Sequence, residues 1–202
     1  MDIDVINVGS GNLRSIANSL TRLHLRPNWV TQPKELRNSR ILLPGVGSIA
    51  YFMANLRRAE LDKAVLDAAA QGRRVIGICL GYQALTHYSE EDGGVEGLGL
   101  LDAQVEKLAG GIGNNGWKNF HLRCQDAGLV PKLTLKRQLR GRVYYNHEYG
   151  VRCTDAGALN LAIDDPTLAA YSAMSIKGEL IGCQFHPEKS QWTGSQLLRM
   201  VL

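Results

Sequence analysis

The first half of the chain alternates short apolar runs with stretches whose apolar residues repeat at helical spacing. A glycine-containing turn closes each apolar run, and a helical pattern follows each turn. Strands that are continuously apolar and alternate with helices indicate a parallel sheet that is covered on both faces. In such sheets, functional groups gather at the carboxyl ends of the strands. The apolar runs are residues 3–8, 41–43 and 75–78, and the helical patterns cover residues 13–23, 53–66 and 82–88.

The second half carries shorter strand-like runs that are separated by turn residues, so we expect mixed or antiparallel strands there. The glycine-rich stretch at residues 110–116 predicts a surface loop, and residues 195–202 predict a helix that packs back on the sheet. Because there is no internal repeat, we expect one α/β domain over residues 1–202. The strand-like runs are residues 98–108, 142–145, 149–153, 159–163 and 180–185.

Composition and charge narrow the classes of function. The 202 residues are 45% hydrophobic and 21% charged, which is typical of a globular protein with a sizeable core. The net charge of +4 is dispersed along the chain, so it does not indicate a nucleic-acid surface. We expect no membrane span and no secretory signal, because no apolar run reaches about 18 residues and the first ten residues contain no basic residue.

The four cysteines are widely and unequally spaced, with no C-x-x-C pair. This pattern excludes a zinc ribbon and a small disulfide scaffold, and it favours a reducing cytoplasmic setting. Free cysteines are usually buried small hydrophobic residues, so each one needs a chemical reason before it is assigned a function. The four are Cys79, Cys124, Cys153 and Cys183.

The pentapeptide G-I-C-L-G at residues 77–81 supplies such a reason for Cys79. It lies between a predicted buried strand and a predicted helix, which matches a nucleophile elbow whose glycines permit a strained turn. At the head of a helix, the dipole and free backbone N–H groups favour the thiolate. The alternative is a buried cysteine in a turn that needs glycine only for packing.

The segment Q-F-H-P-E at residues 184–188 supplies a candidate base. It follows an apolar run, so His186 is expected at a strand end within reach of Cys79, and Glu188 is placed to accept a hydrogen bond from the imidazole. Pro187 restricts His186 to extended backbone geometry and helps to hold this spacing. The alternative is a turn with a solvated glutamate. His147 is another candidate histidine at a strand end.

Backbone donors for an oxyanion are expected from Leu80 N–H and from the P-G-V-G loop at residues 44–47. Gly45 and Gly47 allow that loop to turn an N–H toward a bound carbonyl by a peptide flip, although Pro-Gly taken by itself favours a plain tight turn that needs no ligand. The G-S-G at residues 9–11 looks like part of a phosphate loop but lacks the rest of a P-loop. Three strand ends therefore offer a nucleophile, a base with its orienter, and a backbone anion site.

These motifs resemble those of the class I (triad) glutamine amidotransferases. The nucleophile motif at residues 77–83 and H-P-E at residues 186–188 are typical of the class, and other segments resemble members that pair with a separate cyclase. The resemblance implies a flavodoxin-like, three-layer, doubly wound mixed sheet that hydrolyses the side-chain amide of glutamine with no metal or organic cofactor. The supporting segments are residues 9–15, 43–48, 97–100, 116–117 and 182–190.

The resemblance also implies roles for the motif residues. Cys79 would attack the amide, His186 would protonate the leaving ammonia and then activate water, and Glu188 would orient His186. The same resemblance assigns the substrate pocket, with an oxyanion loop and an amide-positioning glutamine. The pocket residues are Gly45, Gly47, Leu80, Gln83, His147 and Tyr149.

The implied partner is a cyclase subunit with a (β/α)8 barrel, which forms a heterodimer with the glutaminase and uses its ammonia in histidine biosynthesis. Basic residues such as Arg14, Lys118 and Lys189 lie in motif segments expected near that partner, so the positive charge fits a protein partner better than nucleic acid.

Two departures from the family pattern leave the acceptor of the ammonia open. The pair at residues 114–115 is Asn-Asn, and Glu148 stands where the family usually has serine. The runner-up is therefore a paralogous glutaminase that supplies ammonia for amidination of a surface-polysaccharide sugar. A non-catalytic interaction module on the same fold is disfavoured because Cys79, His186 and Glu188 are all present.

Overall fold

The apolar runs form the strands of a mixed sheet, in a computed structural model that describes residues 2–123 and 138–202. In this part of the chain the strands are β1 (Asp2–Ile6), β2 (Arg26–Val30), β3 (Arg40–Gly45), β4 (Arg74–Cys79), β5 (Tyr88–Ser89), β6 (Val95–Glu96), β7 (Ala103–Lys107), β8 (Asn114–Leu122), β9 (Leu139–His147), β10 (Tyr149–Cys153), β11 (Leu159–Ala162), β12 (Ser172–Lys177) and β13 (Leu180–Cys183). The α-helices are α1 (Leu13–Arg22), α2 (Ile49–Arg58), α3 (Leu61–Ala70), α4 (Leu80–Ala84) and α5 (Gln191–Val201). Short 3-10 turns cover Pro33–Glu35, Glu91–Gly93, Ala109–Gly111 and Pro187–Lys189.

The main sheet has the strand order β11-β12-β13-β4-β3-β1-β2. The pairs from β13 to β2 are parallel, and β12 and β11 add to β13 in antiparallel fashion. Gly45 lies opposite Cys79, and Cys183 lies opposite Ile78, so β3, β4 and β13 end at the same edge of the sheet. The register therefore brings the three predicted functional strand ends together.

Apolar clusters cover both faces of this sheet. One cluster joins Ile16 and Leu20 of α1 to Leu197 and Leu198 of α5, together with strand residues such as Ile76. The other cluster joins apolar residues of α2, α3 and α4 to the opposite face of the same strands. The predicted three-layer, doubly wound mixed sheet is confirmed.

The second half of the chain adds two smaller sheets beside the main one. Strands β10, β7, β5 and β6 form one sheet in that order, and β8 pairs with β9 in antiparallel fashion. The prediction of mixed and antiparallel strands in this half is confirmed. In the described residues, no helix is long and apolar enough to cross a bilayer.

The helix predicted at residues 82–88 is present but shorter, because α4 ends at Ala84 and β5 follows. The carbonyl of Ala84 accepts from Leu98 N–H, and the carbonyl of Leu85 accepts from Leu100 and Leu101 N–H. A longer helix would need these same two carbonyl groups as acceptors for its next turn. The N–H groups that occupy them come from residues 98–101, which reach α4 only when the chain folds back onto it.

Other predicted boundaries also need correction. Residues 53–66 belong to two helices, because Glu60 adopts a left-handed conformation with φ of 55° between α2 and α3. Only the second part of residues 98–108 is a strand, which is β7. The predicted loop at residues 110–116 enters β8 at Asn114, where pairing with β9 overrides the glycine-rich composition.

Candidate active site

Cys79 lies at the turn between β4 and α4 with φ of 54° and ψ of −110°. A positive φ is uncommon for a residue with a side chain, and such backbone strain is frequent at functional sites. The flanking glycines permit the turn, since a Cβ on Gly77 would lie 2.6 Å from Tyr82 N and a Cβ on Gly81 would lie 1.7 Å from Leu43 O. The G-x-C-x-G spacing therefore reflects a close approach of α4 to the strands.

The helix that follows Cys79 is shorter than the sequence predicts. Because α4 has five residues, its dipole contributes little beside Cys79, and the expected help from a long helix is absent. Leu80 is the first residue of α4, so its backbone N–H has no hydrogen-bond acceptor within the helix. Any charge on the sulfur must be balanced by side chains instead.

His186 provides the first of these side chains. Its ring Nδ1 lies 2.8 Å from Glu188 Oε1, and the Cys79 side chain is the other neighbour that favours a charged imidazole. The backbone is held as well, since His186 N–H donates to Tyr144 O at 2.8 Å. His186 and Glu188 are both buried. Cys79, His186 and Glu188 thus form one chain of contacts.

The proton on His186 is favoured by its neighbours. Burial by itself lowers the pKa of an imidazole, but the hydrogen bonds and charges of Cys79 and Glu188 outweigh burial and raise the pKa of His186 to about 10. The contact with Glu188 places a proton on Nδ1, so Nε2 is the atom that exchanges a proton with the cysteine. This arrangement can activate a thiol and later return a proton to a leaving group.

The G-S-G-N loop after β1 braces the other parts of the site. Asn12 Nδ2 donates to Glu188 Oε1 at 3.1 Å, beside the bond from His186. Ser10 Oγ accepts from Val46 N–H at 3.1 Å and donates to Val46 O. Although this loop resembles part of a phosphate loop in sequence, its Ser10 and Asn12 side chains bind other parts of the protein.

These Ser10 contacts orient the P-G-V-G loop. Because a peptide is planar and trans, a Val46 carbonyl that points at Ser10 turns the N–H of Gly47 away from it. Gly47 has φ of 95°, which a glycine adopts without strain. Gly45 has a packing constraint, since a Cβ there would lie 2.8 Å from Leu80 Cβ.

A cavity of about 440 Å³ opens at the carboxyl edge of the sheet. It brings together Cys79 and five of the six predicted pocket residues, whereas Gly45 packs against α4 beneath it. The lining residues are Val46, Gly47, Cys79, Leu80, Gln83, Glu91, Gly113, Asn115, Asn146, His147, Glu148 and Tyr149. His186 and Glu188 do not line this cavity.

His147 and Gln83 share one acceptor, the main-chain carbonyl of Tyr149. Gln83 Nε2 and His147 Nδ1 each lie 2.8 Å from this oxygen. His147 Nδ1 therefore carries the proton, and Nε2 accepts from Asn114 Nδ2 at 3.0 Å. Burial lowers the pKa of His147 to about 4, so this histidine is neutral.

Two residues near Cys79 or its cavity were not predicted as site residues from the sequence. Glu91 lies in an acidic run that looks solvated, yet it lines the cavity, and burial raises its pKa to about 7 with further effects from Asp92 and Glu148. Gln184 was read only as part of the H-P-E motif, yet its Nε2 lies 3.9 Å from Cys79 Sγ. The departures Asn115 and Glu148 also line the cavity.

The other described cysteines have different surroundings. Cys183 is buried in the apolar cluster, where burial raises the pKa of its thiol, and Cys153 is half-buried on β10. Cys124 lies outside the described residues. Of the three cysteines described, only Cys79 lines the cavity.

Comparison with solved structures gives the same fold. The chain aligns with the structure of PurLQS from Thermotoga maritima with a TM-score of 0.76 and 18% identity, over 99% of this chain and 96% of that one. A crystal structure of a glutamine amidotransferase aligns with a TM-score of 0.72 and 18% identity, over 98% of this chain and 96% of that one. At this level of identity the likeness shows the fold alone.

Comparison with curated sequences and family models is more specific. The chain is 37% identical to the imidazole glycerol phosphate synthase subunit HisH of Geobacillus sp. (strain WCH70), over 98% of this chain and 94% of the relative. It is 35% identical to the same subunit of Bacillus subtilis (strain 168), over 97% and 93%. The family model "Glutamine amidotransferase class-I" matches residues 4–201. The chain therefore belongs to the class I glutamine amidotransferase family and is an enzyme of that class.

Proposed function

We propose that this chain is the glutaminase subunit of an imidazole glycerol phosphate synthase. It hydrolyses the side-chain amide of glutamine and passes the ammonia to a cyclase subunit, and residues 1–202 act as a single amidotransferase domain. The observation that carries the proposal is the contact chain from Cys79 through His186 to Glu188, which ends in a cavity of about 440 Å³. Relatives named as HisH subunits support the choice of pathway.

In the first half of the reaction, the sulfur of Cys79 attacks the amide carbon of glutamine. The carbonyl oxygen becomes an oxyanion, for which Leu80 N–H and Gly47 N–H are the proposed donors at the cavity wall. His186 gives its proton to the amide nitrogen, the C–N bond breaks, and ammonia leaves. The product is a thioester on Cys79 and a neutral imidazole.

In the second half, His186 takes a proton from water, and the hydroxide attacks the thioester carbon. The C–S bond breaks, glutamate leaves, and Cys79 and His186 return to their starting state. Glu188 accepts from Nδ1 throughout, so its charge stabilises the imidazolium at each step. Glutamine and water therefore supply every atom and proton of the products, and the reaction needs no other reactant.

The cavity also carries groups that suit the amino-acid end of glutamine. Glu91 and Glu148 place two carboxyl groups on its wall, and both can accept from the α-ammonium of the substrate. The raised pKa of Glu91 reflects burial and neighbouring negative charge, which a bound ammonium would offset. We propose these two residues as ligands of the substrate ammonium.

A surface beside the H-P-E turn suits a protein partner. Trp117 and Trp192 are exposed there and line a second cavity of about 310 Å³ with Ser190, which hydrogen-bonds to His186 O. Lys189 adds a positive charge over the ring of Tyr144. We assign this surface, defined by Trp117, Tyr144, Lys189 and Trp192, to the cyclase and call it the aromatic face.

The test combines the full chain with a histidine-pathway cyclase, glutamine and the phosphoribulosyl-formimino carboxamide nucleotide. We expect glutamate and imidazole glycerol phosphate in equal amounts, and weak glutaminase turnover without the cyclase, because the loop of Gly45 and Gly47 is completed by docking. A Cys79→Ala variant should form neither product. Full turnover by Cys79→Ala would reject the proposal.

The same assay addresses the paralogous glutaminase. The cavity departures Asn115 and Glu148 favour that alternative, because they change the wall that the substrate meets. Glutaminase activity without imidazole glycerol phosphate, across several histidine-pathway cyclases, would assign the chain to a different ammonia acceptor.

A further inference from the structure

Gln184 is a polar residue in a fully buried position directly after β13. Its neighbours Cys183 and Phe185 pack into the apolar cluster on one face of the sheet. Because side chains alternate along extended backbone, Gln184 shares the other face with Gly182, whose Cβ would meet the ring of Tyr82. Gln184 N–H donates to Ala173 O at 2.9 Å, which continues the pairing of β13 with β12. The Gln184 side chain accordingly reaches α4, where it contacts Gln83.

A buried amide is costly unless its polar atoms are hydrogen-bonded. Gln184 Oε1 accepts from Gln83 Nε2 at 3.4 Å, and Gln184 Nε2 donates to Cys79 Sγ at 3.9 Å. Both atoms thus have partners, and one of these is the sulfur of the proposed nucleophile. No part of the Gln184 side chain reaches solvent.

The direction of this amide is fixed by the network around it. Tyr149 O can only accept, so Gln83 must present its NH2 group to that oxygen and, with the second hydrogen, to Gln184. Gln184 therefore turns its oxygen toward Gln83 and its NH2 group toward Cys79. A flipped Gln184 amide would set two NH2 groups against each other.

We propose that Gln184 is a further catalytic residue, a hydrogen-bond donor that stabilises the thiolate of Cys79. The inference rests on the proposed function, in which Cys79 is the nucleophile. A bond from N–H to a charged acceptor is stronger than a bond to a neutral one, so the Gln184 amide favours the thiolate over the thiol. It does so where the five-residue α4 offers little help from a helix dipole.

The same donor acts again when the thioester is hydrolysed. The sulfur leaves the tetrahedral intermediate as a thiolate, and the Gln184 N–H is already directed at it. Through Oε1, the amide also holds Gln83, which lines the substrate cavity. One side chain thus serves two positions, the nucleophile and a wall of the pocket.

Two leucine variants of the full chain separate these effects. Gln184→Leu removes the donor to Cys79 and the acceptor for Gln83. Gln83→Leu keeps the Gln184 amide, and the thiolate of Cys79, which accepts from an NH2 group and repels a carbonyl oxygen, then holds that NH2 group toward the sulfur. We measure the rate of iodoacetamide alkylation at Cys79 against pH by peptide mass spectrometry. The rate at Cys153 is an internal control, and Gln104→Leu on the exposed face of β7 is a matched surface control.

We expect Gln184→Leu to raise the pH of half-maximal Cys79 alkylation by about one unit, from the strength of a charge-assisted hydrogen bond. Gln83→Leu and Gln104→Leu should leave that pH unchanged, and the KM for glutamine should rise in Gln184→Leu and Gln83→Leu. An unshifted profile in folded Gln184→Leu overturns the inference. So does an equal shift in Gln83→Leu, which would indicate a general packing effect.

A measurement on the native protein covers the case in which Gln184→Leu does not fold. The side-chain ¹⁵N–¹H₂ resonance of Gln184 should titrate with the same midpoint as Cys79 alkylation, and a constant resonance across that range overturns the inference. Failure of the proposed function would appear differently, as full glutaminase turnover in Cys79→Ala. If Cys79→Ala is inactive and Gln184→Leu leaves the pH profile of Cys79 alkylation unshifted, the proposed role of Gln184 is rejected and the proposed function is not.

Discussion

Two buried histidines near the cavity have opposite protonation because their partners differ. His186 faces the carboxylate of Glu188 and the sulfur of Cys79, and its pKa rises to about 10. His147 faces a carbonyl and an amide, and burial lowers its pKa to about 4. A charged partner is needed to offset desolvation, and only His186 has one. We therefore propose the proton-transfer role for His186, whereas His147 is a neutral part of the cavity wall.

The pKa of His147 makes the stability of the fold depend on pH. Below pH 6.5 the unfolded chain takes up a proton on His147, while the folded chain remains neutral there until about pH 4. This contribution is complete above pH 6.5 and is lost as the pH falls toward 4, by about 3 kcal/mol in total. We expect His147→Gln to remove this part of the decline.

Urea unfolding of the wild type and His147→Gln at a series of pH values measures this effect. The difference between their free energies of unfolding should change by about 3 kcal/mol across that interval. Carboxylates contribute equally to both proteins and cancel in the difference. Curves that stay parallel from pH 7 to 4 would contradict the assignment of a neutral buried His147.

Glu188 is expected to affect turnover rather than substrate binding. Glu188→Gln keeps an oxygen near His186 Nδ1 but removes the negative charge that stabilises the imidazolium. We expect kcat for glutamine to fall by about 10²- to 10⁴-fold. The KM should change little, since Glu188 does not line the cavity. Steady-state glutaminase assays in the presence of the cyclase measure both constants.

Glu106→Gln is the matched control for this substitution. Glu106 lies on β7 and pairs with Arg152 at a partly exposed position, so the same chemical change there should leave kcat unchanged. A Glu188→Gln variant with wild-type kcat would refute the role of Glu188 in orienting and charging His186.

At the scale of elements, close backbone contacts hold the elbow in place. The first turn of α4 lies so near β3 that Gly81 has its backbone against Leu43 O. Gly77 of β4 meets the backbone of Tyr82, and Gly182 of β13 meets its ring. These glycines let three strands and one short helix converge, which places Cys79 beside the H-P-E turn. The strained φ of Cys79 is sustained by this packing.

Gly81→Ala tests that packing directly. The new Cβ would lie 1.7 Å from Leu43 O, and neither backbone can move without displacing the elbow. We expect a loss of at least about 3 kcal/mol in the free energy of unfolding and loss of glutaminase activity. Chemical denaturation and a glutamate assay measure the two effects.

Gly157→Ala is the control, because a Cβ at that turn meets Asp155 Oδ1 at an ordinary 3.4 Å. It should change the free energy of unfolding by less than about 1 kcal/mol and leave activity intact. A Gly81→Ala variant as stable as Gly157→Ala would show that α4 does not lie as close to β3 as described.

Elements whose signal is local could be predicted, and elements that depend on pairing could not. Strands β1, β3 and β4 consist mostly of apolar residues because both faces of the sheet are covered, and glycine turns follow them. The strand β2 has the sequence RPNWV and becomes a strand only by pairing with β1. The end of α4 likewise depends on distant N–H groups. Local sequence patterns do not predict such contacts between distant residues.

The residues of the candidate site also fall into two groups, those that a local motif predicts and those whose role depends on distant contacts. Cys79, His186 and Glu188 could be predicted because each lies in a short motif at the end of a strand. Glu91 could not, because an E-E-D run is typical of a solvated turn and only the tertiary fold directs it to the cavity. The roles of Ser10 and Asn12 depend on partners 36 and 176 residues away.

At the scale of the whole molecule, the site opens at one edge of the sheet beside the aromatic face. Ser190 links the two, since its hydroxyl donates to His186 O and accepts from Tyr144 N–H. Exposed tryptophans are enriched at the centres of protein interfaces, where they contribute a large share of the binding energy. A partner seated on the aromatic face would therefore contact the same turn that holds the proposed base.

Trp192 is the most exposed residue of the aromatic face, with 63% of its surface accessible to solvent. We expect Trp192→Ala to raise the Kd for the cyclase by about 10-fold or more, in line with the loss of an interface tryptophan. The weak glutaminase activity of the isolated chain should stay unchanged, because Trp192 does not line the glutamine cavity. Titration calorimetry with the cyclase gives the Kd.

Trp29→Ala provides a control with the same change of side chain at a distant place. Trp29 is 37% exposed on β2, the strand at one end of the sheet order, with β1, β3 and β4 between it and β13. Its removal should leave the Kd for the cyclase unchanged. If Trp29→Ala weakens the complex and Trp192→Ala does not, the cyclase binds away from the aromatic face, and ammonia must then leave the cavity by a route that does not pass the H-P-E turn.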